Sequence, residues 1–431
     1  MRLIYWFLLM AMATDLVAQS FTSYFTGNTN NVTTQSAGGV CMMGGASEND
    51  NAMRWFLQQA NGGDVLVLRA SGSDGYNNYL YSELDVDVNS VETIVFHSAE
   101  ASNDFYVQMR INQAEAIWFA GGDQWNYVQY WKDSPVETAI NQAIFERNVV
   151  IGGTSAGMAI LGSHYFSAQN GSIISATALM NPYHNSLSIG ADDFLHINAL
   201  QNTITDTHYD NPDRRGRHVC FMARMFTDYG IDALGIACDE YTAVCLQDGI
   251  ARVFGSYPTY DDNAYFIQSN CELNNRSPEL CISGQPLTWN RDGKALRVYR
   301  VKGTSNGDNF FEWSNLYTET GGGEWLYWYV NNGIFYETQG EGYNCNLATP
   351  PAISNTYFTV YPNPANDFIE IGAATSVCSE LSIFDVQSNT CCAYKNVNSG
   401  DIIDIKALLP GIYVIHCKSS NNVYVKRFVK Q

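Results

Sequence analysis

The sequence has few basic residues and few charged residues of any kind. Lysine and arginine number 23 against 43 aspartates and glutamates, so the formal net charge is −20, and charged residues make up 15% of the chain. Nucleic acids and anionic membrane surfaces bind clustered basic side chains, so this composition argues against both as partners. With 46% hydrophobic and 13% aromatic residues, the chain is also unlike a disordered protein.

Long apolar runs are missing as well. Beyond the N-terminus no apolar run reaches the roughly 18 residues that a membrane-spanning helix needs, so we predict no transmembrane span. The N-terminus has the order of a secretory signal peptide: basic Arg2, the apolar run Leu3–Ala13, and the small residue Ala18 at a cleavage point. We predict a signal peptide at residues 1–18 and an exported mature protein; a buried N-terminal strand is the alternative.

Cysteine, by contrast, is present at 11 positions. An oxidising compartment permits disulfides, and Cys271 and Cys281 lie in a loop-rich stretch where they could pair, although spacing alone does not settle the pairing. Cys238 lies in an apolar run and is predicted to be a small core residue. Asp206 and His208 form one isolated pair without a His-x-x-x-His motif or a cysteine pair nearby, so we predict neither a metal nor a cofactor.

The first half of the chain alternates short apolar runs with helical stretches. Clusters of glycine, serine or aspartate follow the runs, and segments such as Asn51–Ala60 and Val136–Glu146 are typical of helices. This alternation predicts a parallel sheet with crossover helices in a domain at residues 19–255. The predicted strands are Val40–Met43, Val65–Leu68, Val91–Phe96, Ala116–Phe119 and Val149–Ile151.

The second half differs in composition and shows mainly strand patterns. Residues 256–345 are rich in tyrosine, asparagine, glycine and tryptophan, with clear strands only at Leu296–Val301 and Leu326–Val330, which predicts a β-rich extension of the first domain. Residues 346–355 contain two adjacent prolines and are predicted to be a linker. Short strands of period two in residues 356–431 predict a small C-terminal β-sandwich.

A serine stands at a sharp turn between a strand and a helix. Val149–Ile151 runs into Gly-Gly-Thr-Ser-Ala-Gly, which contains G-x-S-x-G in the context that exposes a nucleophile. Gly153 and Gly157 leave the space that such a turn needs, and the helix N-terminus offers N–H groups to developing negative charge. We therefore predict Ser155 as a nucleophile; a serine in an ordinary glycine-rich turn is the alternative.

A serine nucleophile needs a base, and the base needs an orienting group. His208 stands in Thr-Asp-Thr-His-Tyr ahead of a run of three arginines, and a later buried strand ends in two carboxylates, the second of which is Glu240. Polar groups at the end of a buried strand are costly unless they are used. The predicted order is Ser155, His208, Glu240, which differs from the order serine, acid, histidine of common α/β-hydrolases.

Four motifs in this order resemble the cyanophycinase and peptidase E family of serine peptidases. They are Ala120–Gln124, Gly153–Gly157, Asp206–Tyr209 with the arginines that follow, and Gly235–Ala243. The resemblance implies a doubly wound, mostly parallel α/β sheet similar to that of class I glutamine amidotransferases. Those enzymes carry cysteine where this chain has Ser155.

The resemblance also implies a role for each matching residue. Ser155 would be the nucleophile, His208 the general base and then the acid, and Glu240 the group that orients the histidine. The backbone N–H groups of Gly122 and Ala156 would bind the oxyanion. The substrate-binding positions would be Gln124, Asp206, Thr207, Arg214 and Arg217.

The implied substrate is a peptide with an aspartyl carboxylate, which an arginine fork suits, and with arginyl groups, because cyanophycinases cleave β-aspartyl-arginine units and peptidase E cleaves after an N-terminal aspartate. The chain departs from the cyanophycinase pattern at Thr207, which is usually glutamine, and at Pro212, where an arginine is expected and Arg215 could compensate. A catalytically impaired peptide-binding protein and an esterase that uses the same serine are the alternatives. A homodimer is compatible with the resemblance.

The C-terminal segment resembles the sorting domain of type IX secretion cargo. This implies that the type IX translocon recognises residues 356–431 and that the protein is secreted or held at the cell surface. A generic Ig-like adhesion module is the alternative. The matching stretches are Val360–Asp367, Leu381–Asp385, Leu409–Val414 and Lys426–Lys430.

Overall fold

The computed structural model describes residues 19–316, 320–341, 358–363, 365–373, 378–385, 390–398, 400–418 and 423–430. The predicted signal peptide and the predicted linker lie outside the described residues. The chain divides into two compact units, Met1–Cys345 and Asn346–Gln431.

The first unit contains both helices and strands in its described part. Its α-helices are α1 (Asp50–Gln59), α2 (Gly75–Asn78), α3 (Phe105–Gln113), α4 (Gln124–Trp131), α5 (Pro135–Arg147), α6 (Ala156–Ala159), α7 (Ser175–Met180) and α8 (Arg215–Tyr229). A π-helical turn at Tyr79–Glu83 and 3-10 turns at Ala99–Asn103 and Asn198–Leu200 complete the helical part. Its strands are β1 (Phe21–Gly27), β2 (Val40–Met43), β3 (Asp64–Arg69), β4 (Ser90–Phe96), β5 (Ala116–Phe119), β6 (Val150–Thr154), β7 (His164–Phe166), β8 (Ile189–Ala191), β9 (Thr203–Asp206), β10 (Leu234–Cys238), β11 (Ala243–Gln247), β12 (Ile250–Tyr257), β13 (Asn263–Ser269), β14 (Leu296–Lys302), β15 (Phe310–Glu312), β16 (Gly323–Asn331) and β17 (Ile334–Gln339).

The first sheet has the strand order β1-β4-β3-β5-β6-β2-β11-β12-β15. Its central strands β4, β3, β5, β6 and β2 run parallel to one another. Each of these strands coincides with a predicted apolar run to within a few residues. The predicted parallel α/β core is therefore confirmed.

Both faces of this sheet are covered, as a doubly wound fold requires. In β3 the side chains of Leu66 and Leu68 pack into one core with residues of α3, α4 and α5, whereas Val65 and Val67 pack into a second core with residues of α1. Alternate residues of a strand point to opposite faces, so an unbroken apolar run is what burial on both faces demands.

A second sheet extends the unit in the order β17-β16-β14-β13-β10-β9-β7-β8. Strands β7, β9 and β10 are parallel, and the strands beyond β10 pair antiparallel. Residues 256–345 supply β13, β14, β16 and β17 to this sheet and β15 to the first. The sequence patterns do not indicate β13, because Asn263, Gln268 and Ser269 interrupt its apolar run although all its side chains are buried.

The second unit is built from strands alone in its described part. It contains β18 (Phe358–Tyr361), β19 (Phe368–Ala373), β20 (Cys378–Asp385), β21 (Thr390–Val397), β22 (Asp401–Asp404), β23 (Gly411–Lys418) and β24 (Val423–Lys430). Two antiparallel sheets, β18-β19-β22 and β21-β20-β23-β24, share one apolar core that includes Ile369, Ile371, Leu381, Ile415 and Phe428. The predicted β-sandwich is confirmed.

The structure contradicts the expected pairing of Cys271 with Cys281. Cys271 is disulfide-bonded, but Cys281 is a buried free thiol, so the pairing of these two is wrong. Cys238 is fully buried in the core as predicted. In the part of the chain that the structure describes, no helix is both long and apolar enough to cross a membrane.

Candidate active site

Turns at the carboxyl ends of three strands bring the predicted catalytic side chains together. Ser155 follows β6 of the first sheet, while His208 and Glu240 lie beyond β9 and β10, neighbouring strands of the second sheet. Ser155 Oγ lies 2.7 Å from His208 Nε2. His208 Nδ1 lies 2.6 Å from Glu240 Oε1. The three side chains thus form one continuous hydrogen-bonded chain.

The turn that carries Ser155 is strained and tightly packed. Ser155 has a backbone φ of +52°, a conformation that costs a non-glycine residue about 1–3 kcal/mol and persists only where the surroundings enforce it. A methyl group at Gly157 would lie 2.1 Å from the carbonyl oxygen of Phe119, so only glycine fits there. The helix that follows, α6, is a single turn, so oxyanion stabilisation falls to individual N–H groups rather than to a long helix dipole.

Of the two predicted oxyanion donors, Ala156 is adjacent to the nucleophile in the chain, and Gly122 follows a glycine that lies close to it. Ala156 follows Ser155 directly, and a methyl group at Gly121 would lie 3.6 Å from Ser155 Cβ. The buried Tyr127 hydroxyl donates to the carbonyl oxygens of Ala120 and Gly121 at 2.8 and 3.1 Å. This hydroxyl therefore ties the loop that leads to Gly122 to α4.

Glu240 has a second partner that sequence analysis did not identify. Asn211 Nδ2 donates to Glu240 Oε2 at 3.2 Å, and the backbone N–H of Glu240 donates to Asp210 Oδ1 at 2.9 Å. The hydrogen bond from His208 and, more weakly, that from Asn211 lower the pKa of Glu240, so its carboxylate is ionised at neutral pH. The position of Asn211 three residues after His208 is the only sequence signal for it.

The pKa of Asp239, one residue earlier, is shifted in the opposite direction. Asp239 is 4% exposed. Its Oδ2 accepts the backbone N–H of Asn263 at 3.1 Å and Nδ2 of the same residue at 2.9 Å. Its Oδ1 has no hydrogen-bond partner among the described residues. Burial raises the pKa of Asp239 to about 7, so two adjacent carboxyl groups favour opposite protonation states.

Asp206 and Arg217, both predicted to bind substrate, are bound to each other. Both side chains are buried, and Arg217 Nε donates to Asp206 Oδ2 at 2.8 Å. Burial opposes ionisation of Asp206, but the charge and hydrogen bonds of Arg217 outweigh it and hold the pKa of Asp206 below its ordinary value. The Arg217 guanidinium also packs over the Phe166 ring at 5.2 Å. The pair is therefore an internal support of the surface around His208.

The other two arginines of the run differ from each other. Arg215 forms ion pairs with Asp213 at 2.9 Å and Glu337 at 3.2 Å. Arg214 is half-buried, donates through Nη1 to the carbonyl oxygen of Thr207 at 3.0 Å, and makes no ion pair with any residue of the described ranges. Arg214 is thus the member of the run whose charge stays available next to His208.

The other two predicted substrate-binding residues, Thr207 and Gln124, also form hydrogen bonds within the protein. The Thr207 side chain is buried, and its backbone N–H donates to Asp206 Oδ1 at 2.8 Å. Gln124, the first residue of α4, donates through Nε2 to the carbonyl oxygen of Phe166 at 3.3 Å. Gln124 and Arg217 therefore both contact Phe166.

Gly45 also touches the site and was not singled out from sequence. A methyl group at Gly45 would lie 2.4 Å from His208 Nε2. The available signal was the Gly44-Gly45 pair directly after the buried strand β2, because ligands of open α/β sheets bind beyond the carboxyl ends of strands. Across the described residues, no three histidine, cysteine, aspartate or glutamate side chains cluster so that they could hold a metal ion.

Comparison with known proteins gives relatives for the catalytic part. The cyanophycinase of Synechococcus elongatus is 24% identical over 225 residues, which is 50% of this chain and 65% of that protein. The cyanophycinase of Trichormus variabilis is 26% identical over 237 residues, 55% of this chain and 68% of the relative. A crystal structure of a peptidase from an acI-B1 actinobacterium covers 54% of this chain at 12% identity, with a TM-score of 0.38.

Two family models match the chain. The secretion system C-terminal sorting domain matches residues 359–431, which indicates type IX secretion to the cell surface or beyond. The model of peptidase family S51 matches residues 36–254, half of the chain. The chain therefore belongs to peptidase family S51.

Proposed function

We propose that the protein is a secreted serine peptidase that hydrolyses aspartyl peptide or isopeptide bonds. The observation that carries the proposal is the hydrogen-bonded chain Ser155–His208–Glu240, with distances of 2.7 and 2.6 Å. A serine hydroxyl within hydrogen-bond reach of an imidazole whose other nitrogen meets a carboxylate is the arrangement of nucleophile, base and orienting group.

In the acylation step, His208 Nε2 accepts the proton of the Ser155 hydroxyl while Oγ attacks the carbonyl carbon of the scissile bond. Glu240 holds the Nδ1–H tautomer of His208 and stabilises the imidazolium that forms. The oxygen that becomes negative accepts hydrogen bonds from the N–H groups of Gly122 and Ala156. His208 then gives its proton to the leaving amine, and an acyl-Ser155 remains.

In the deacylation step, a water molecule takes the place of the leaving amine. His208 removes its proton as the water attacks the acyl carbon, and then returns the proton to Ser155 Oγ as the acid product leaves. The lowered pKa of Glu240 supports this cycle, because an ionised carboxylate keeps the imidazole in one orientation through both steps.

Arg214 is the group that we assign to the aspartyl carboxylate of the substrate. It lies six residues from His208 and has no carboxylate partner among the described residues. A guanidinium presents two parallel N–H groups that match a carboxylate. Asp206, Arg217, Thr207 and Gln124 would then act by holding this surface in place. The relatives named cyanophycinase support an aspartyl substrate, and the net charge of −20 favours the approach of arginyl peptides.

The test is a panel of β-Asp-X and α-Asp-X peptides, including β-Asp-Arg, incubated with the purified protein and read by mass spectrometry. We expect cleavage by the wild type and a loss of at least about 10³-fold in Ser155→Ala. Ser163→Ala is the matched control, because Ser163 also lies against a histidine, His164, at 3.1 Å but is buried away from Glu240.

The outcomes separate the alternatives. Cleavage that persists in Ser155→Ala contradicts the proposal. Turnover of acyl esters without any peptide cleavage would identify an esterase instead. Tight peptide binding without cleavage, and without labelling of Ser155 by a fluorophosphonate, would identify a catalytically impaired binding protein.

A further inference from the structure

Three consecutive carbonyl groups, of Met43 at the end of β2 and of the two glycines that follow, each bind one of the turns that carry the predicted catalytic side chains. The backbone N–H of Ser155 donates to Met43 O at 3.1 Å, that of His208 to Gly44 O at 2.7 Å, and that of Tyr241, next to Glu240, to Gly45 O at 3.1 Å. One segment, Met43–Gly45, thus contacts all three turns through its main chain.

The three residues that donate these hydrogen bonds share a strained backbone. Ser155, His208 and Tyr241 have φ values of +52°, +46° and +62°. Non-glycine residues keep such angles only where the surrounding structure over-determines them. Hydrogen bonds to three successive carbonyls of one short segment supply that constraint and set the three turns in a fixed mutual position.

The segment also joins the two sheets. β2, which leads into it, and β6, which leads to Ser155, are neighbours in the first sheet, whereas His208 and Glu240 follow β9 and β10 of the second sheet. The Ser155–His208 distance therefore depends on how the carboxyl ends of two sheets are held against each other.

The segment tolerates no side chain at its last position. Gly45 has a φ of +113°, and a methyl group there would lie 2.4 Å from His208 Nε2, the atom that faces Ser155 Oγ. The absence of a side chain at Gly45 thus leaves the space that the imidazole of His208 occupies.

We propose that Met43–Gly45 is the positioning segment of the active site and that Gly45 is a positioning residue, which acts on the reaction through His208. The inference rests on the proposed function for its kinetic consequences. It assigns the geometry of the three proposed catalytic side chains to a fourth segment that carries none of them.

The first test compares Gly45→Ala with Gly62→Ala. Gly62 also has a positive φ, +78°, but a methyl group there would meet nothing within 4 Å, so both variants strain the backbone and only one contacts the site. We expect Gly45→Ala to lower kcat by about 100-fold with KM within about threefold, and to slow fluorophosphonate labelling of Ser155 similarly. Gly62→Ala should match the wild type in both.

The second test does not need activity. The Nδ1–H of His208 in its short hydrogen bond to Glu240 should give a strongly downfield proton resonance in the wild type and in Gly62→Ala, and this resonance should shift or vanish in Gly45→Ala. Equal rates in the two variants with an unchanged resonance overturn the inference. Absence of peptide cleavage in the wild type would count against the proposed function alone.

A third measurement uses the wild type only, in case Gly45→Ala does not fold. Amide hydrogen exchange of Ser155, His208 and Tyr241 should be slow and should share one opening free energy, because the three amides are bound to the same segment. Fast or unrelated exchange of these three amides would contradict the role of Met43–Gly45.

Discussion

The turns that carry Ser155, His208 and Glu240 and the arginine run at residues 214–217, which follows His208 in the sequence, are held by different interactions. Backbone hydrogen bonds and close glycine contacts hold the turns of Ser155, His208 and Glu240, whose side chains we propose to be catalytic. Ion pairs fix the arginine run, and two of its three guanidinium groups are consumed by carboxylates. The difference suggests that changes in the catalytic turns will affect rate, whereas changes in the arginine run will divide into effects on stability and effects on substrate affinity.

The largest effect should come from Glu240→Gln. A glutamine amide can donate to His208 Nδ1, which places the imidazole proton on Nε2 and prevents it from accepting the Ser155 proton. We expect kcat to fall by about 10³–10⁴-fold while stability stays near that of the wild type. Steady-state cleavage of the best peptide measures the loss, and Glu146→Gln, on the exposed face of α5, is the control. A variant that keeps more than a tenth of the wild-type rate would remove Glu240 from the catalytic turns.

The next largest effect should be a loss of folding stability in the variant Arg217→Met. The substitution keeps much of the packing against Phe166 but leaves the buried Asp206 carboxylate without its partner. Breaking a buried ion pair in this way costs about 3–5 kcal/mol. Urea unfolding followed by tryptophan fluorescence measures this loss in the free energy of unfolding. All nine tryptophans precede residue 329, so the signal reports on the first unit.

The double variant Arg217→Met with Asp206→Asn provides the control for this ion pair. Removal of both charges should restore part of the lost free energy of unfolding, since the uncompensated carboxylate is then absent. If Arg217→Met unfolds at the wild-type urea concentration and instead raises KM alone, Arg217 contacts substrate and the contrast drawn here fails.

A pH dependence should distinguish the two adjacent carboxyl groups at the end of β10. Asp239 has an ordinary pKa of 3.8 and a folded pKa of about 7, so between these pH values the native protein binds more protons than the unfolded chain. The free energy of unfolding then falls as pH rises from about 4 to about 7, by up to roughly 4 kcal/mol. Urea midpoints of Asp239→Asn across this range should show a smaller decline.

Glu240→Gln is the control for that pH series. Because the pKa of Glu240 is lowered, its stabilising contribution is lost only at pH values below the range in question. The decline should therefore persist in Glu240→Gln. An unaltered decline in Asp239→Asn would mean that another buried group is responsible.

Much of the first sheet and of the catalytic turns could be predicted from sequence. Burial on both faces demands unbroken apolar runs such as Val65–Leu68, and a strained turn demands small neighbours such as Gly157, so both leave local patterns. Asp239 and Glu240 mark the end of the apolar run Leu234–Cys238, but no local pattern shows that Ala243–Gln247, which follows closely, belongs to the other sheet.

The contacts within the arginine run could not be predicted. Which arginine meets Asp206 depends on the direction of side chains along α8 and on burial, and neither leaves a signal in Asp-Arg-Arg-Gly-Arg. The same is true of Asn211 and of Met43–Gly45, whose roles depend on hydrogen bonds between segments far apart in the chain. Local patterns predict strained turns, whereas long-range partners decide what holds them.

The smallest effect should be a change in KM for aspartyl peptides. A comparison of Arg214→Met with Arg215→Met should show which arginine of the run binds the substrate. Arg214 lacks a carboxylate partner among the described residues, so its loss should leave the urea midpoint nearly unchanged and raise KM for aspartyl peptides by about 10–100-fold, the value of a lost charge-assisted contact. Arg215 is engaged by Asp213 and Glu337, so its loss should change KM by less than about threefold. Arg214→Lys should recover little, because an ammonium group cannot form the two parallel hydrogen bonds. If Arg215→Met raises KM as much as Arg214→Met does, the substrate draws Arg215 away from its ion pairs, and it is bound by the run as a whole rather than by Arg214.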